Sequence, residues 1–201
     1  MIRFLYRLFR KVWKLVGQVC SRKVTKFLFY VNGVDCRSDF FTNGVPVVRL
    51  TQKGIMKVGA GFRMNNGLHH NIIGRQQRCY FVVSGNLEIG NNVGMSATAI
   101  VCMQRIKIGD GVRIGGNTVI YDTDFHSLDS VERLRPVEDK SKVGTKPVVI
   151  KKNVFIGAHS TILKGVTIGE NSIIGAGSLV CKDIPPNQIW AGNPVKFIRS
   201  I

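Results

Sequence analysis

From Ile150 onward the hydrophobic positions fall on a six-residue beat, "IKKNVF IGAHST ILKGVT IGENSI IGAGSL VCKDIP". The leading positions, Ile150, Ile156, Ile162, Ile168, Ile174 and Val180, are all β-branched. Two residues ahead of the later leads stand Val154, Ser160, Val166, Ser172 and Ser178, small enough to share an inward face with them. Gly157, Gly169 and Gly175 each follow a lead, where the chain has to turn sharply. An earlier block keeps the beat less strictly: Val83, Ile89, Met95 and Val101 share one phase, and Cys102, Ile108, Ile114 and Ile120 continue it after a one-residue slip. Very short strands separated by Gly-rich turns at this period predict an all-β parallel β-helix, in which each strand pairs with the coils above and below. A β-sandwich would instead alternate over longer strands and turn every ~8–12 residues. With three hexapeptides to a coil, the two blocks supply about four coils, and residues 46–82 one or two irregular ones.

The beat divides the chain. Residues 1–45 are read as a basic amphipathic arm, 46–184 as the β-helix with a loop inserted at 121–149, and 185–201 as a cap. In the cap, Pro185 and Pro186 cannot continue a ladder, and Trp190 and Phe197 are expected to cover the open core. In the arm, Arg3, Arg7, Arg10 and Lys14 recur at helical spacing, while Ile2, Leu5, Phe9, Val12, Trp13 and Val16 can share the other side. That pattern suits a helix lying on an anionic membrane surface. It also suits a helix packed on its own domain or on a neighbouring subunit. Lys14 breaks the apolar run a cleaved signal needs, and "LVGQVC" is a poor lipoprotein site at Cys20.

Charge sharpens the picture. The net charge of +17 calls for polyanionic partners, yet eight of the 29 Lys and Arg lie in residues 1–30, which hold no acid. Basic excess confined to an arm does not make a nucleic-acid groove, and no nucleic-acid-binding motif is present. There is no apolar run of the ~18 residues a spanning helix needs. Five cysteines without CxxC spacing fit a reduced, cytoplasmic protein, peripheral on the inner membrane face if the arm binds it, with no structural zinc. His126 and His159 are isolated and His69 and His70 adjacent, so no metal-ligand set is recognisable and no metal is expected.

The candidate chemistry sits where the beat stops. "YDTDFHSLDSVERLR" opens the interruption, and Asp122, Asp124, Asp129, Glu132, Glu138 and Asp139 are half of the chain's 12 acids. His126 among them is a candidate general base, with Asp122 or Asp124 accepting the other ring N–H. His159, in the turn "GAHS", is read as exposed and without a catalytic role. His69 and His70 are read as packing or solvent contacts rather than acceptor-groove residues.

Residues 154–199, "VFIGAHSTILKGVTIGENSIIGAGSLVCKDIPPNQIWAGNPVKFIR", resemble the hexapeptide-repeat acyltransferases, which include galactoside, maltose and xenobiotic acetyltransferases and many capsule or lipopolysaccharide O-acetyltransferases. The run "GMSATAIVCMQRIKIGDGVRIGGNTVIYDTDFHSLD" looks most similar to the polysaccharide-modifying branch. The resemblance covers roughly 46–201 and implies a left-handed coil, a homotrimer with sites in the clefts between subunits, and acetyl-CoA as acyl donor. It implies direct transfer to a sugar hydroxyl with His126 as base. The turns Gly157–Ala158 and Gly175–Ala176 would line the pantetheine path, with the Ala158 N–H at the oxyanion, and Lys182, Lys196 and Arg199 would lie near the nucleotide phosphates. Phe155, Cys181 and Lys196 depart from the commonest pattern. The inserted loop is expected to reach over the adjacent subunit. A soluble small acceptor, or a helix kept as a non-catalytic binding module, are the competing readings.

Overall fold

The computed structural model describes residues 1–37, 39–67, 70–71, 73 and 77–201. Among them, twenty strands form three sheets of six, eight and six strands. Successive strands go to different sheets until the last two, which pair antiparallel within one sheet, and every other pairing is parallel, so the chain winds as a column of coils. Sheet A runs from Asp35–Cys36 to Thr167–Ile168, sheet B from Phe41–Asn43 to Lys196–Ser200, and sheet C from Val47–Leu50 to Leu179–Val180.

Register explains the sequence beat. In sheet B, Met64, Met95, Ile114, Ile156, Ile174 and Trp190 stack in line, and in sheet C Phe81, Ile100, Ile120, Ile162 and Val180 do so. Sheet A contributes Val58, Ile89, Ile108, Ile150 and Ile168. These side chains fill the column almost without exposure, and each buried Ile stabilises it by roughly 1.5–3 kcal/mol. The slip lies at the corner after Met95, where Ala97 takes a left-handed φ of 46° and the next inward residue is Ile100. Val101, expected inward, therefore faces out, and Ile100 and Cys102 carry the core there. Each A-to-B corner needs one left-handed residue, supplied in order by Gly61, Asn92, Gly111, Asn153, Asn171 and Asn187. The last three asparagines also bond in a ladder, Asn153 Nδ2 to Asn171 Oδ1 at 3.1 Å and Asn171 Nδ2 to Asn187 Oδ1 at 2.9 Å.

Both ends of the column are closed. At the start, helix α1 (Ile2–Val31) buries only Thr25 and Phe29, and Phe29 meets Phe40 with ring centroids 5.5 Å apart. The strand Asp35–Cys36 already pairs with Ile55–Val58, so the ladder begins about ten residues ahead of the expected position 46. At the far end Gln188–Ala191 turns back antiparallel on Lys196–Ser200, and Phe197 sits edge-on to Trp190 at 5.8 Å.

Candidate active site

The long loop leaves sheet C after Tyr121 and rejoins the column at Val148, at the corner between sheets C and A. A narrow neck holds its two ends together. Thr123 bridges Thr145, the Asp124 N–H donates to the Gly144 carbonyl at 3.0 Å, and the Lys146 N–H to the Asp122 carbonyl at 3.0 Å. Asp124 also pairs with Lys164 Nζ of the next coil at 3.0 Å.

Asp122 has a different task. In the preceding coil, the N–H groups of the corner Ser84–Gly85–Asn86 donate to Cys102 and Gln104 carbonyls one coil on. The corner Met103–Gln104–Arg105 cannot repeat this, because the loop has replaced the corner it would bond to. The buried Asp122 carboxylate supplies the acceptors: Oδ1 takes the Met103 N–H at 2.7 Å, and Oδ2 those of Gln104 and Arg105 at 2.8 and 2.7 Å. Burial, and then this carboxylate, push the neighbouring Cys102 thiol up to about 12.

The loop itself doubles back. Asp129 caps the short helix α2 (Ser130–Arg133), accepting the Val131 and Glu132 N–H groups at 2.7 and 3.0 Å, bonds that hold its carboxyl below the ordinary range. Helix α3 (Pro136–Ser141) starts on the preset φ of Pro136 and returns Asp139 to the start of the loop. There Asp139 Oδ2 lies 2.7 Å from His126 Nδ1, and Oδ1 accepts the Ser127 N–H at 2.6 Å. Ser127 is fixed on its other sides by Glu132, at 2.8 Å from its Oγ, and by Arg133, which donates to its carbonyl at 2.9 Å. Phe125 takes a φ of 66° and rests edge-on against Tyr121, which lifts His126 clear of the coil wall.

His126 is thus tied at one nitrogen and open at the other. Its side chain is 67% exposed, that of Asp139 13%. With Nδ1 donating to the carboxylate, Nε2 presents its lone pair to solvent. The expectation that Asp122 or Asp124 orients the ring is corrected: one carboxylate is spent on the corner, the other on the neck, and neither bonds His126. Sequence reasoning missed Asp139 because it lies thirteen residues from His126, beyond the two short helices.

The His126 contact and then the Ser127 N–H hold the Asp139 carboxyl below its ordinary value. A depressed carboxyl stabilises the fold above its unfolded value and stops doing so as pH falls through the folded one, so the contribution of Asp139 to holding the loop is present at neutral pH and lost in acid. For the acetyl transfer proposed below, Asp139→Asn is expected to lower kcat by about 10²-fold, with KM for acetyl-CoA unchanged. Steady-state kinetics on both substrates checks this, and an equal rise in that KM would mean the loop as a whole has moved.

The expected donor turns lie elsewhere on the chain. Ala158 and Ala176 occupy successive coils at the corner between sheets B and C, across the width of sheet C from the loop. A Cβ on Gly157 would stand 2.4 Å from the Ala176 nitrogen, so only glycine allows the coils to approach there. Gly175 meets Ala191 in the same way. Among the described residues, the N–H groups of Ala158 and Ala176 donate to no acceptor. His159 holds the left-handed place of this corner and meets Asn117 Nδ2 at 3.2 Å, exposed as expected. Lys182 lies over the Trp190 ring at 5.2 Å, while Lys196 and Arg199 stand exposed on the final strand. His69 lies outside the described residues, and His70 lines a groove with Phe9, Trp13 and Asn43 of about 630 Å³.

The segment 147–182 matches the family model "Bacterial transferase hexapeptide (six repeats)". The chain is similar to the galactoside O-acetyltransferase of Escherichia coli K12, 40% identical over 61% of this chain and 58% of that protein. It thus spans less than two thirds of that relative. A galactoside acetyltransferase solved in complex with coenzyme A is 33% identical over 71% of this chain and 66% of that one, with a TM-score of 0.53. The N-acyltransferase AntD of Bacillus cereus superposes with a TM-score of 0.67 over 87% of this chain and 88% of that one, at 23% identity, a likeness of fold alone. The hexapeptide column is a left-handed parallel β-helix.

Proposed function

We propose that the chain is an acetyl-CoA-dependent O-acetyltransferase for a sugar hydroxyl of a capsular or lipopolysaccharide saccharide, with His126 as general base. The observation that carries this reading is the 2.7 Å bond from Nδ1 to Asp139, which leaves Nε2 open on an exposed ring. Nε2 takes the hydroxyl proton as the acceptor oxygen attacks the thioester carbonyl. The imidazolium, balanced by Asp139, then returns that proton to the departing thiolate as the tetrahedral intermediate collapses. The unpaired N–H of Ala158 suits the oxyanion, that of Ala176 the pantetheine amides, and Lys182, Lys196 and Arg199 the phosphates.

Base and donor turns occupy opposite edges of sheet C, so one chain does not hold both halves of the site. A homotrimer, each loop set over a neighbour's B–C corner, would unite them. Helix α1 would bring the assembly to a membrane that carries lipid-linked acceptor. The test is thiol release from acetyl-CoA, corrected for hydrolysis, over a panel of sugars and oligosaccharides, alongside a coenzyme A titration. Acceptor-dependent release supports the reading. Absence of coenzyme A binding overturns it.

A further inference from the structure

Helix α1 meets its own domain with the wrong face for an ordinary surface helix. Thr25 and Phe29 are its buried residues, and Gln18 reaches Asn43 of sheet B at 2.9 Å. At 3.6 residues per turn, the stripe they define continues back through Lys14, Lys11 and Arg7. The basic stripe is therefore the side turned toward the β-helix. The broad apolar side lies open to solvent: Leu5, Val12, Val16 and Val19 are each half exposed or more, as are Phe9 and Trp13, which also border the groove with Asn43 and His70. Packing of the helix on its own domain, one of the readings the sequence left open, does not occur along this half.

We propose that α1 is a docking surface for an anionic phospholipid bilayer, lying in the headgroup layer with that apolar side in the acyl region and the β-helix standing on its water side. Three observations select this occupant over a second copy of the helix. An interfacial helix must turn its polar stripe to water, and the domain is attached on that stripe, so lipid and domain do not compete for one face. The apolar side of residues 2–19 is far wider than the two-in-seven seam that a helix pair covers, whereas a bilayer takes all of it. Residues 1–30 carry eight cations and no acid, so paired copies would repel, while each cation near an anionic surface adds to binding. No helix among the described residues is long and apolar enough to cross the bilayer, so the helix would lie along it, over about 45 Å. Phe9 and Trp13, stacked at 5.9 Å and both exposed, are the aromatic contacts this helix offers.

The test uses the full chain carrying Trp190→Phe, which leaves Trp13 as the sole tryptophan. It is floated with vesicles of phosphatidylglycerol and phosphatidylcholine, and with phosphatidylcholine alone. Flotation with the anionic vesicles is expected, weakened by salt, with a blue shift of Trp13 emission and quenching by brominated acyl chains. Leu5→Asp with Phe9→Asp should reduce partitioning at least about tenfold. Failure to float, or a Trp13 signal indifferent to brominated chains, overturns the proposal. So does a vesicle-free oligomer that this double substitution dissolves, which would show α1 pairing with itself. The inference extends the membrane contact proposed for α1 and stands apart from the acyl transfer. Thiol release with a soluble saccharide is expected at the parent level in the double variant, so loss of docking and loss of chemistry are read separately.

Discussion

His126→Ala is expected to lower acceptor-dependent thiol release by about 10²–10⁴-fold, the span that a positioned base contributes. An alcohol hardly ionises at neutral pH, so the barrier rests on where its proton goes. In the proposed reaction it goes to Nε2 of a ring that Asp139 bonds at Nδ1 and that follows the left-handed Phe125. Coenzyme A affinity should be unchanged, because the contacts proposed for it are the Ala158 and Ala176 N–H groups and the Lys182, Lys196 and Arg199 cations, and the His126 ring is none of them. Single-turnover kinetics with a working acceptor, beside a coenzyme A titration, separates the two effects. Release that survives the substitution would falsify the assignment of the base.

The second large effect concerns stability. Asp122→Ala takes the acceptor from three part-buried N–H groups of the Met103–Gln104–Arg105 corner, and each hydrogen bond to a charged group contributes about 1.5–3 kcal/mol. A loss of at least about 3 kcal/mol follows, equivalent to a fall in Tm of roughly 6–12 °C for a chain of this size. Asp122→Asn should recover only part of it, since its amide brings donors to meet donors. Calorimetry measures the loss, and activity at low temperature supplies the control. If Asp122 instead oriented the base, activity would collapse while Tm held.

Those two residues mark how far the sequence could be read. The column was legible because its inward positions are periodic and chemically uniform: a β-branched residue on every sixth place from Ile150 to Val180 leaves little else to build. The candidate base was legible as a candidate because His126 stands where that period breaks. Its partner was not. Asp122 and Asp124 are nearest along the chain, but contact in a loop is set by where the backbone turns. Two local signals do foretell the turn: Asp129 ahead of "SVER" reads as a cap, and Pro136 as the first residue of a second helix. Followed through, they carry Asp139 back toward His126. The slip near Val101 was misplaced for a similar reason, because a corner that absorbs one residue fewer looks, in sequence, like a strand one residue out of phase. The facing of α1 was beyond reach from sequence, since the stripe that packs is defined by Thr25 and Phe29 and only the fold selects them.

The neck at Thr123 and Thr145 has a consequence for inheritance. Across it the chain re-enters the column in register, Ile120 stacked on Ile162 and Ile108 on Ile150, whatever lies between. The column does not sense how long or how shaped the excursion is. Such a segment can lengthen, shorten or be exchanged between lineages while the scaffold that folds it stays untouched. Changes in the loop that carries His126 therefore have a place to accumulate without disturbing the register of the column.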